Sequence, residues 1–556
     1  MSSEDPQEEE FSIHWIRDLV DEVLVRDPEQ YLIVTGKSMS GSVHVGFMKE
    51  IIIADVIKRE LQTLGKKAKT VFISDDYDPI RSFPPSLTLS PEEYMGVPYS
   101  DAPDPYGCCE SLGTHWTNEL VETFPEFGAA PEILLQSKLY ETKEMLDAVR
   151  ICLENTETIR EILIEYVARD FDKTQRAAYI ESMETWYPAS VICPNCGRLQ
   201  SGGKGSIVPN RVTSFNPEND EVSYTCAHCG HSEVARIDKV RLKLSWRVDW
   251  PAKWYVMKTT CEPAGKDHAV KGGSYDTGLE ISRRVFGWSG PVKVPFEWVR
   301  LGGRDMGTSK GVVFTPRSWL DVAPPELFRY MVLRTDLERA NNIQTDLIPD
   351  LVDLYESFER TYYGLDEADS EKQELAKVLY PLTESRSNID EYIAKLSFKF
   401  AVLTSQLKGI LSEETIIERC IEVLKKQHNL TDVSPESKAL IPKRLSRAYN
   451  WAKEFGSSRD IVEVPNSVPK EVKDTLTDTD RKFLKNFVNV LQGPSLDDEE
   501  LQGKVFETAR NVGLKDKRAF IVLYRILISQ KSGPRLGGFL NLLGNEWVLE
   551  RIMSVL

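Results

Sequence analysis

The hydrophobic pattern near the N-terminus predicts a strand, a helix and a second strand in direct succession. Residues 31–35 and residues 69–74 are two short runs of β-prone side chains. Between them, apolar positions over residues 47–64 recur at helical spacing, and Gly65 follows the last of them. A βαβ unit in this order implies a parallel sheet with a right-handed crossover.

Further along the chain the pattern changes twice. Residues 136–188 are mostly helical in pattern, residues 191–236 carry two C-x-x-C pairs and several glycines, and residues 292–299 again alternate like a strand. After about residue 335 the pattern is amphipathic helix, for example over residues 390–407 and 515–529. These patterns predict one α/β domain interrupted by an insertion and followed by an all-helical region.

Length and composition limit the class of protein. The chain has 556 residues, which suggests about three or four domains. The first ten residues are acidic and polar, so we expect a disordered tail there rather than a secretory signal. No apolar run reaches the roughly 18 residues of a membrane span. Nine cysteines, an odd number, with no secretion signal favour a reducing, cytoplasmic setting.

The net charge of −17 argues against nucleic acid as a partner only weakly, because bulk charge does not locate charge on a surface. Short basic clusters do occur, among them Lys239, Arg241 and Lys243. Such a cluster is more often a solvated face than a phosphate track, so composition alone does not reveal an RNA partner.

Two loops carry candidate nucleotide chemistry. The first, residues 40–47, lies between the first strand and the first helix, where unpaired N–H groups suit phosphate and a histidine, His44, can donate a hydrogen bond to it. The second, residues 306–311, follows the last strand and carries a lysine that can neutralise phosphate charge. Taken singly, the first loop is more often explained by a histidine that caps a helix, and the second is also explained by an ordinary polar loop.

The two loops in this order resemble the HIGH and KMSKS signatures of class I aminoacyl-tRNA synthetases. The resemblance implies a catalytic set and an overlapping ATP-binding set, with Mg²⁺ accompanying ATP. The implied catalytic residues are His44, Gly46, Ser309 and Lys310. The implied ATP-binding residues are Ser40, Gly41, His44, Gly46, Met306 and Lys310.

Three further blocks are similar to those of the class I lysyl-tRNA synthetases. They read WRVDWPAKW over residues 246–254, EPAGKDH over 262–268 and GGSYDTG over 272–278. The resemblance implies ATP-dependent activation of L-lysine to lysyl-adenylate and its transfer to tRNA-Lys, with no membrane and no DNA partner. It also implies a Rossmann-type parallel-sheet catalytic domain with a zinc-containing insertion, followed by an all-helical C-terminal anticodon-binding domain.

The lysine site can be assigned in outline. By resemblance, Gly36 and Ser38 meet the lysine backbone, while Trp246 and His268 line its pocket. An ammonium group needs a carboxylate partner and tolerates aromatic walls, so Asp249 is expected beside Trp246. The alternative interpretation of WRVDW is an amphipathic core strand with buried tryptophans.

Three positions depart from the family pattern. Phe47 stands where the family usually has Asn, Phe296 where Tyr is common, and the KMSKS-like loop has Asp305 where it usually begins with Lys. An acid beside phosphates is unfavourable. These departures bear on the catalytic rate more than on the class of reaction.

Cysteine spacing predicts metal sites in two places. Cys193, Cys196, Cys226 and Cys229 form two C-x-x-C pairs, each followed by Gly, which suits a tetrahedral structural Zn²⁺. Asp104, Cys108, Cys109 and His115 have a spacing that can close around a second Zn²⁺, although vicinal cysteines are an awkward pair of ligands. The family resemblance supports this second site and implies that it braces the region near the acceptor end of the tRNA.

These observations together predict a division of the chain and leave alternatives open. The predicted segments are the tail 1–10, the catalytic halves 11–135 and 241–335, the insertion 136–240 and the anticodon-binding region 336–556. The alternatives are another class I synthetase such as the glutamate enzyme, whose pocket would favour arginine, or a catalytically silent synthetase-like tRNA-binding protein. A zinc-containing nucleotidyltransferase for small molecules would leave the helical region unexplained.

Overall fold

A computed structural model describes residues 14–556 except residues 84–86, 204, 308–313, 387 and 459. The predicted acidic tail, Ser309 and Lys310 lie outside the described residues. The predicted division of the chain into five segments stays a prediction.

A five-stranded parallel sheet forms the centre of the catalytic part. Its spatial order is β12 (Val292–Phe296), β11 (Cys261–Gly265), β1 (Tyr31–Lys37), β2 (Ala68–Ser74) and β3 (Glu132–Leu135), and every neighbouring pair is parallel. The chain leaves β1 towards β2 on one side and returns to β11 on the other. Ligands of such sheets bind at the carboxyl ends of the strands where the order reverses, which here lies between β1 and β11.

The predicted βαβ unit is confirmed. Strand β1 leads through a short 3-10 helix, Val45–Phe47, into α2 (Met48–Thr63), and β2 follows. Ten of the sixteen residues of helix α2 are buried, eight of them apolar, and the helix packs on the sheet. The class of fold, a parallel α/β domain, therefore agrees with the sequence pattern.

The remaining strands form four small sheets. Two of them have two strands: β4 (Ala189–Val191) pairs with β10 (Leu242–Leu244), and β5 (Gln200–Ser201) pairs with β6 (Val208–Pro209). The other two have three strands. In one, β8 (Glu221–Thr225) lies between β7 (Val212–Asn216) and β9 (Ser232–Arg236), and in the other, β13 (Val299–Leu301) lies between β14 (Arg304–Asp305) and β15 (Asn341–Ile343).

Apart from the sixteen-residue α2, the described helices up to residue 383 are fifteen residues long or shorter. They are α1 (Trp15–Leu24), α3 (Pro91–Tyr94), α4 (Leu112–Val121), α5 (Gln136–Leu139), α6 (Lys143–Glu154), α7 (Thr156–Val167), α8 (Lys173–Met183), α9 (Trp246–Met257), α10 (Lys266–Ala269), α11 (Ser274–Arg284), α12 (Pro316–Val322), α13 (Pro325–Leu333), α14 (Ile348–Tyr362) and α15 (Ser370–Thr383). The insertion has its own apolar core, to which α6, α7 and β8 contribute.

The WRVDW block is a helix, so its interpretation as a core strand is wrong. Trp246, Trp250 and Trp254 recur every four residues and therefore lie along one face of α9. Consecutive indole rings are 5.9 and 5.0 Å apart between centroids. The alternation of apolar and polar residues that resembled a strand arises from a helix whose aromatic face and opposite face are both covered.

The C-terminal part is all helical among the described residues. Its helices are α16 (Phe398–Ser405), α17 (Glu413–Gln427), α18 (Pro435–Phe455), α19 (Lys470–Asp474), α20 (Asp478–Leu491), α21 (Asp498–Asn511), α22 (Asp516–Ile528), α23 (Leu536–Leu543) and α24 (Asn545–Met553). The helix predicted over 515–529 is confirmed as α22. The helix predicted over 390–407 begins only at Phe398, because Ser397 before it has an extended backbone with ψ 133°.

By contacts the chain divides into two compact units. One comprises Met1–Trp319, Pro325–Gln344 and Phe358–Ile389, and the other comprises Leu320–Pro324, Thr345–Ser357 and Asp390–Leu556. The second unit holds an apolar core built mainly from α20 to α24. Among the described residues, no helix has the length and apolar character needed to cross a membrane.

Candidate active site

Two adjoining cavities lie at the carboxyl ends of β1 and β11. The inner cavity has a volume of about 300 Å³ and extends towards α9, and the outer cavity has a volume of about 270 Å³ and extends towards the short helix at residues 45–47. Residues that line both are Lys37, Phe47, Glu50, Gly265 and His268. The site therefore lies at the reversal of strand order, as expected for this sheet.

Aromatic side chains form one wall of the inner cavity. Trp246, Trp250 and Trp254 line it from α9, and the Glu262 carboxylate accepts hydrogen bonds from the indole N–H groups of Trp250, at 2.8 Å, and of Trp254. The His268 ring lies 5.3 Å from the Trp246 ring, and its Nδ1 lies 3.1 Å from the Ser274 hydroxyl. Such a wall suits an aliphatic chain that ends in a cation.

Acidic side chains predominate among the charged groups of the inner cavity. Glu50, Asp75, Asp78 and Glu262 line it, against the ammonium groups of Lys37 and Lys253. Among the described residues, no arginine lines it. The inner cavity is thus electrostatically suited to a ligand that carries positive charge.

Burial raises the pKa of three of these acids, Glu50, Asp75 and Glu262, although at Asp75 the charge of Lys253 opposes this effect. Burial raises the pKa of Glu50 to about 8, and the nearby charge of Glu262 adds to this effect. Burial also raises the pKa of Glu262 to about 7, against the hydrogen bonds from Trp250 and Trp254. A cationic ligand would favour the ionised form of the Glu50 and Glu262 carboxylates.

The structure gathers most of the predicted lysine-binding residues in one place. Gly36, Ser38, Trp246 and His268 all line the inner cavity. Asp249 does not line it: this side chain is buried and accepts hydrogen bonds from Gln136, at 2.8 Å, and from Tyr140. It also pairs with two internal lysines, Lys253 at 3.3 Å and Lys243 at 3.7 Å, so it faces the interior of the protein and not the cavity.

The outer cavity contains the predicted HIGH-like residues. His44 and Gly46 line it together with Met306. A Cβ atom on residue 46 would lie 2.9 Å from His44 Nδ1 and 3.2 Å from Met306 Cε, so only glycine fits there without movement. Ser40 and Gly41, the other predicted ATP-binding residues, line neither cavity; Ser40 is exposed and Gly41 is buried.

His44 is not a simple helix cap. It precedes the short helix at Val45–Phe47, but its side chain makes no capping hydrogen bond. Its buried Nδ1 has no hydrogen-bond partner among the described residues. Burial, and then the charge of Lys37, lowers its pKa to about 4, so the imidazole is neutral near pH 7. The residue lines the outer cavity, so this neutral ring is placed beside the space that a ligand there would fill.

The departures from the family pattern have identifiable surroundings. Asp305 lines the outer cavity and forms a salt bridge with Arg300 at 3.0 Å. The arginine that precedes it in sequence, Arg304, is not this partner. Phe47 packs edge to face against Phe72 at a centroid distance of 5.8 Å. Phe296 lines the outer cavity 5.9 Å from the Lys49 ammonium.

Sequence reasoning missed the acidic lining residues. Glu50 directly precedes the apolar run at residues 51–54 of α2, and Glu262 lies in a buried strand, so each was visible as a charge beside apolar residues. Asp75 and Asp78 directly follow β2, at the carboxyl end of the sheet. Their position after a parallel strand was the available signal.

The two predicted cysteine clusters are assembled. The sulfur atoms of Cys193, Cys196, Cys226 and Cys229 all lie within 4.8 Å of one another, and the Asn195 amide donates to Cys229 at 3.5 Å. This hydrogen bond, and then one from the His231 backbone, lower the pKa of Cys229 to about 6, whereas burial raises the pKa of Cys193 and of Cys196. Four thiolates at this distance are a donor set that could hold one metal ion.

The second cluster is more exposed. Ligand atoms of Asp104, Cys108, Cys109 and His115 also lie within 4.8 Å of one another. Cys108 Sγ lies 3.2 Å from His115 Nδ1 and 3.3 Å from Cys109 Sγ. The vicinal cysteines thus point to a common centre despite their adjacency in sequence.

Comparison with known proteins settles the family. The model for tRNA synthetases class I (K) matches residues 13–386, and the model for an anticodon binding domain matches residues 412–556. The chain belongs to the class I tRNA synthetase (K) family. As a member of this family it is an aminoacyl-tRNA synthetase, and the predicted anticodon-binding domain is confirmed as helices α17 to α24.

Curated relatives of this synthetase match over almost the full length. A lysine–tRNA ligase of Methanocaldococcus jannaschii is 33% identical over 97% of this chain and 99% of its own. One from Methanosphaera stadtmanae is 32% identical over 97% and 99%, and one from Archaeoglobus fulgidus is 32% identical over 98% and 100%.

Proposed function

We propose that this synthetase is a lysine–tRNA ligase, which activates L-lysine with ATP and transfers the lysyl group to tRNA-Lys. The single observation that carries the proposal is the charge of the inner cavity. Four carboxylates and two ammonium groups line it, and no arginine does so among the described residues. Lysine brings two ammonium groups and one carboxylate, so its net positive charge complements this lining.

The ε-ammonium is best accommodated by Glu50. Its carboxyl lines both cavities and accepts one hydrogen bond, from the Gly36 N–H at 3.2 Å. Trp246 and His268 cover the aliphatic stem, while Gly36 and Ser38 meet the backbone of the amino acid. The relatives named lysine–tRNA ligases support this assignment of the substrate.

Activation joins the amino acid to AMP. The lysine carboxylate attacks the α-phosphorus of ATP, the bond to the β-phosphate oxygen breaks, and pyrophosphate leaves. His44 and the backbone at Gly46 contact the phosphate, while Ser309 and Lys310, outside the described residues, are assigned by motif to the departing pyrophosphate. No protein nucleophile is needed, and Mg²⁺ supplies charge neutralisation when it is bound with ATP.

Zinc is the metal proposed for the cysteine clusters. Four thiolates suit tetrahedral structural Zn²⁺, and the Asp-Cys-Cys-His set offers the same coordination number. All nine cysteines are free thiols, in keeping with a reducing, cytoplasmic setting.

The alternatives are less consistent with the site. A glutamate-activating enzyme must neutralise a side-chain carboxylate, and among the described residues no arginine lines the inner cavity to do so. A silent tRNA-binding protein has no need of an unpaired His44 nitrogen or of a glycine that packs against it.

Amino-acid-dependent ATP–pyrophosphate exchange, measured with each standard amino acid, with and without tRNA, tests the proposal. Exchange with lysine and with no other amino acid is the expected result. Exchange with another amino acid would refute the substrate but retain the reaction, and the absence of exchange under every condition would favour the silent tRNA-binding protein.

A further inference from the structure

A buried cluster of five charged side chains lies beside the inner cavity. Its members are Asp75, Asp78, Asp249, Lys243 and Lys253. Lys253 Nζ lies 2.6 Å from Asp75 and 3.3 Å from Asp249, and Lys243 Nζ lies 3.2 Å from Asp78 and 3.7 Å from Asp249. Three carboxyl groups face two ammonium groups, so the cluster contains one more acidic than basic side chain before a substrate binds.

The members of the cluster differ in their access to the cavity. Asp75, Asp78 and Lys253 line the inner cavity, whereas Lys243 and Asp249 do not. The Lys243 side chain is only 6% exposed, so it is not part of a basic surface as its place in the 239–243 run suggested. If a charge this well buried is removed, its partner carboxylates keep charges that solvent cannot compensate.

Lys243 pairs with the Asp78 carboxylate, and Asp78 in turn accepts a hydrogen bond from Ser38, a predicted lysine-binding residue. The Lys243 ammonium bonds Asp78 Oδ1, and the other oxygen of Asp78 accepts a hydrogen bond from the Ser38 hydroxyl at 2.9 Å. Gln136 Oε1 lies 3.2 Å from the same ammonium. Lys243 is therefore fixed from the side away from the cavity, and Asp78 is fixed by it.

The position of Lys243 in the chain connects this site with the insertion. Lys243 lies in β10, which pairs with β4 at the register Lys243 to Ser190. Strand β4 ends at Val191, two residues before Cys193 of the cysteine cluster. The ion pair between Lys243 and Asp78 thus joins the base of the insertion to the loop after β2.

We propose that Lys243 is a positioning residue for amino-acid binding, which acts through Asp78 and Ser38 without touching the substrate. The proposal rests on the proposed function of the inner cavity. Without the Lys243 ammonium, Asp78 loses its restraint and carries an unbalanced charge, so Ser38 no longer presents its hydroxyl in one place. The outer cavity has no member of this cluster in its lining, so nucleotide binding is affected little.

The test compares KM values in ATP–pyrophosphate exchange for Lys243→Met, Lys243→Arg and the control Lys239→Met. Lys239 is 72% exposed and lies four residues before Lys243 in the chain. We expect Lys243→Met to raise the KM for lysine about tenfold or more, the scale of a lost charge-assisted hydrogen bond, with the KM for ATP changed less than about twofold. Lys243→Arg should recover most of the affinity, and Lys239→Met should match the unsubstituted protein. An unchanged KM for lysine, or equal increases for lysine and ATP, would overturn the proposal.

A double variant separates positioning from folding. Lys243→Met leaves the cluster with two more acidic than basic side chains, and Lys243→Met with Asp249→Asn returns this excess to one. The double variant should recover the thermal stability of the unsubstituted protein and still show a raised KM for lysine. Recovery of the KM as well would mean that charge balance alone matters, which would overturn the positioning role. If the unsubstituted protein exchanges with an amino acid other than lysine, the proposed substrate fails, and the same KM comparison with that amino acid still decides the role of Lys243.

Discussion

At the scale of single residues, burial controls which groups in the two cavities carry charge. His44 is neutral near pH 7, and Glu50 and Glu262 hold protons more strongly than exposed carboxyls. A cation that enters the inner cavity shifts both acids towards the ionised form, because an opposite charge nearby lowers a carboxyl pKa. Affinity for lysine therefore depends on groups that the empty protein keeps partly protonated.

Glu50→Gln should weaken lysine binding without weakening the fold. The variant removes the carboxylate proposed to pair with the ε-ammonium, so the KM for lysine in pyrophosphate exchange should rise about tenfold or more. Thermal stability should hold or increase, because a buried acid with a raised pKa is lost. Glu60→Gln, on the same helix and away from both cavities, is the control. An unchanged KM for lysine would remove Glu50 from the site.

Gly46→Ala should impair catalysis through the nucleotide site. The added methyl group would lie 2.9 Å from His44 Nδ1, so the imidazole must move away from the outer cavity. A displacement of this kind costs about a hundredfold in rate when the moved group positions a reactant. The measurement is kcat for lysine-dependent exchange. Gly503→Ala, on α21 with no atom within 4 Å of its added Cβ, should leave kcat unchanged; equal rates for both variants would show that the fit at residue 46 is unimportant.

At the scale of elements, the sequence predicted β1, β2 and β12 of the central sheet but neither β3 nor β11. Strands β1 and β2 and helix α2 follow from local periodicity, and the cysteine clusters follow from spacing, because each depends on neighbours in sequence. The roles of Glu50 and Asp249 depend on which helix face meets the cavity. Asp249 lies on α9 beside the indoles that line the inner cavity, yet it faces Tyr140 and Lys243, which arrive from other elements. No local pattern reports that.

The cluster of four cysteines, Cys193, Cys196, Cys226 and Cys229, should stabilise the insertion and take no part in catalysis. Its four sulfur atoms come from turns at residues 193–196 and 226–229, which a bound metal would hold together. Treatment with a zinc chelator, or Cys196→Ser combined with Cys226→Ser, should lower the melting temperature by several degrees. Exchange activity at low temperature should fall by less than about threefold. Metal content is checked by atomic absorption, and loss of activity at an unchanged melting temperature would contradict a structural role.

At the scale of the whole molecule, the acidic composition and the RNA substrate are compatible because charge is distributed unevenly. Part of the −17 net charge is located in the inner cavity and its buried cluster, where it serves an amino acid and faces no phosphate. The family relationship assigns RNA binding to separate helices, α17 to α24. Net charge alone therefore predicts the partner of neither region.

The stability of the whole protein should report lysine binding in a pH-dependent way. Glu50 and Glu262 have folded-state pKa values of about 8 and about 7, above the ordinary value of 4.5. Between about pH 4.5 and pH 8 the folded protein retains protons on these carboxyl groups that the unfolded chain has already released. The two acids therefore contribute their full stabilisation below about pH 4.5, and this contribution is lost as the pH rises to 8. Lysine favours the ionised carboxylates and should reverse part of this loss.

Calorimetry at pH 6 and pH 8, with and without saturating lysine, tests this linkage. Lysine should raise the melting temperature more at pH 8 than at pH 6, because at pH 6 its binding must first displace protons from both acids. In Glu50→Gln the difference between the two pH values should shrink, since the acid with the higher pKa is absent. Equal shifts at both pH values in the unsubstituted protein would mean that the ammonium of lysine is bound away from these carboxyls. Norleucine, which keeps the stem but lacks the ε-ammonium, should lose most of the pH dependence that lysine shows, because it leaves both acids protonated.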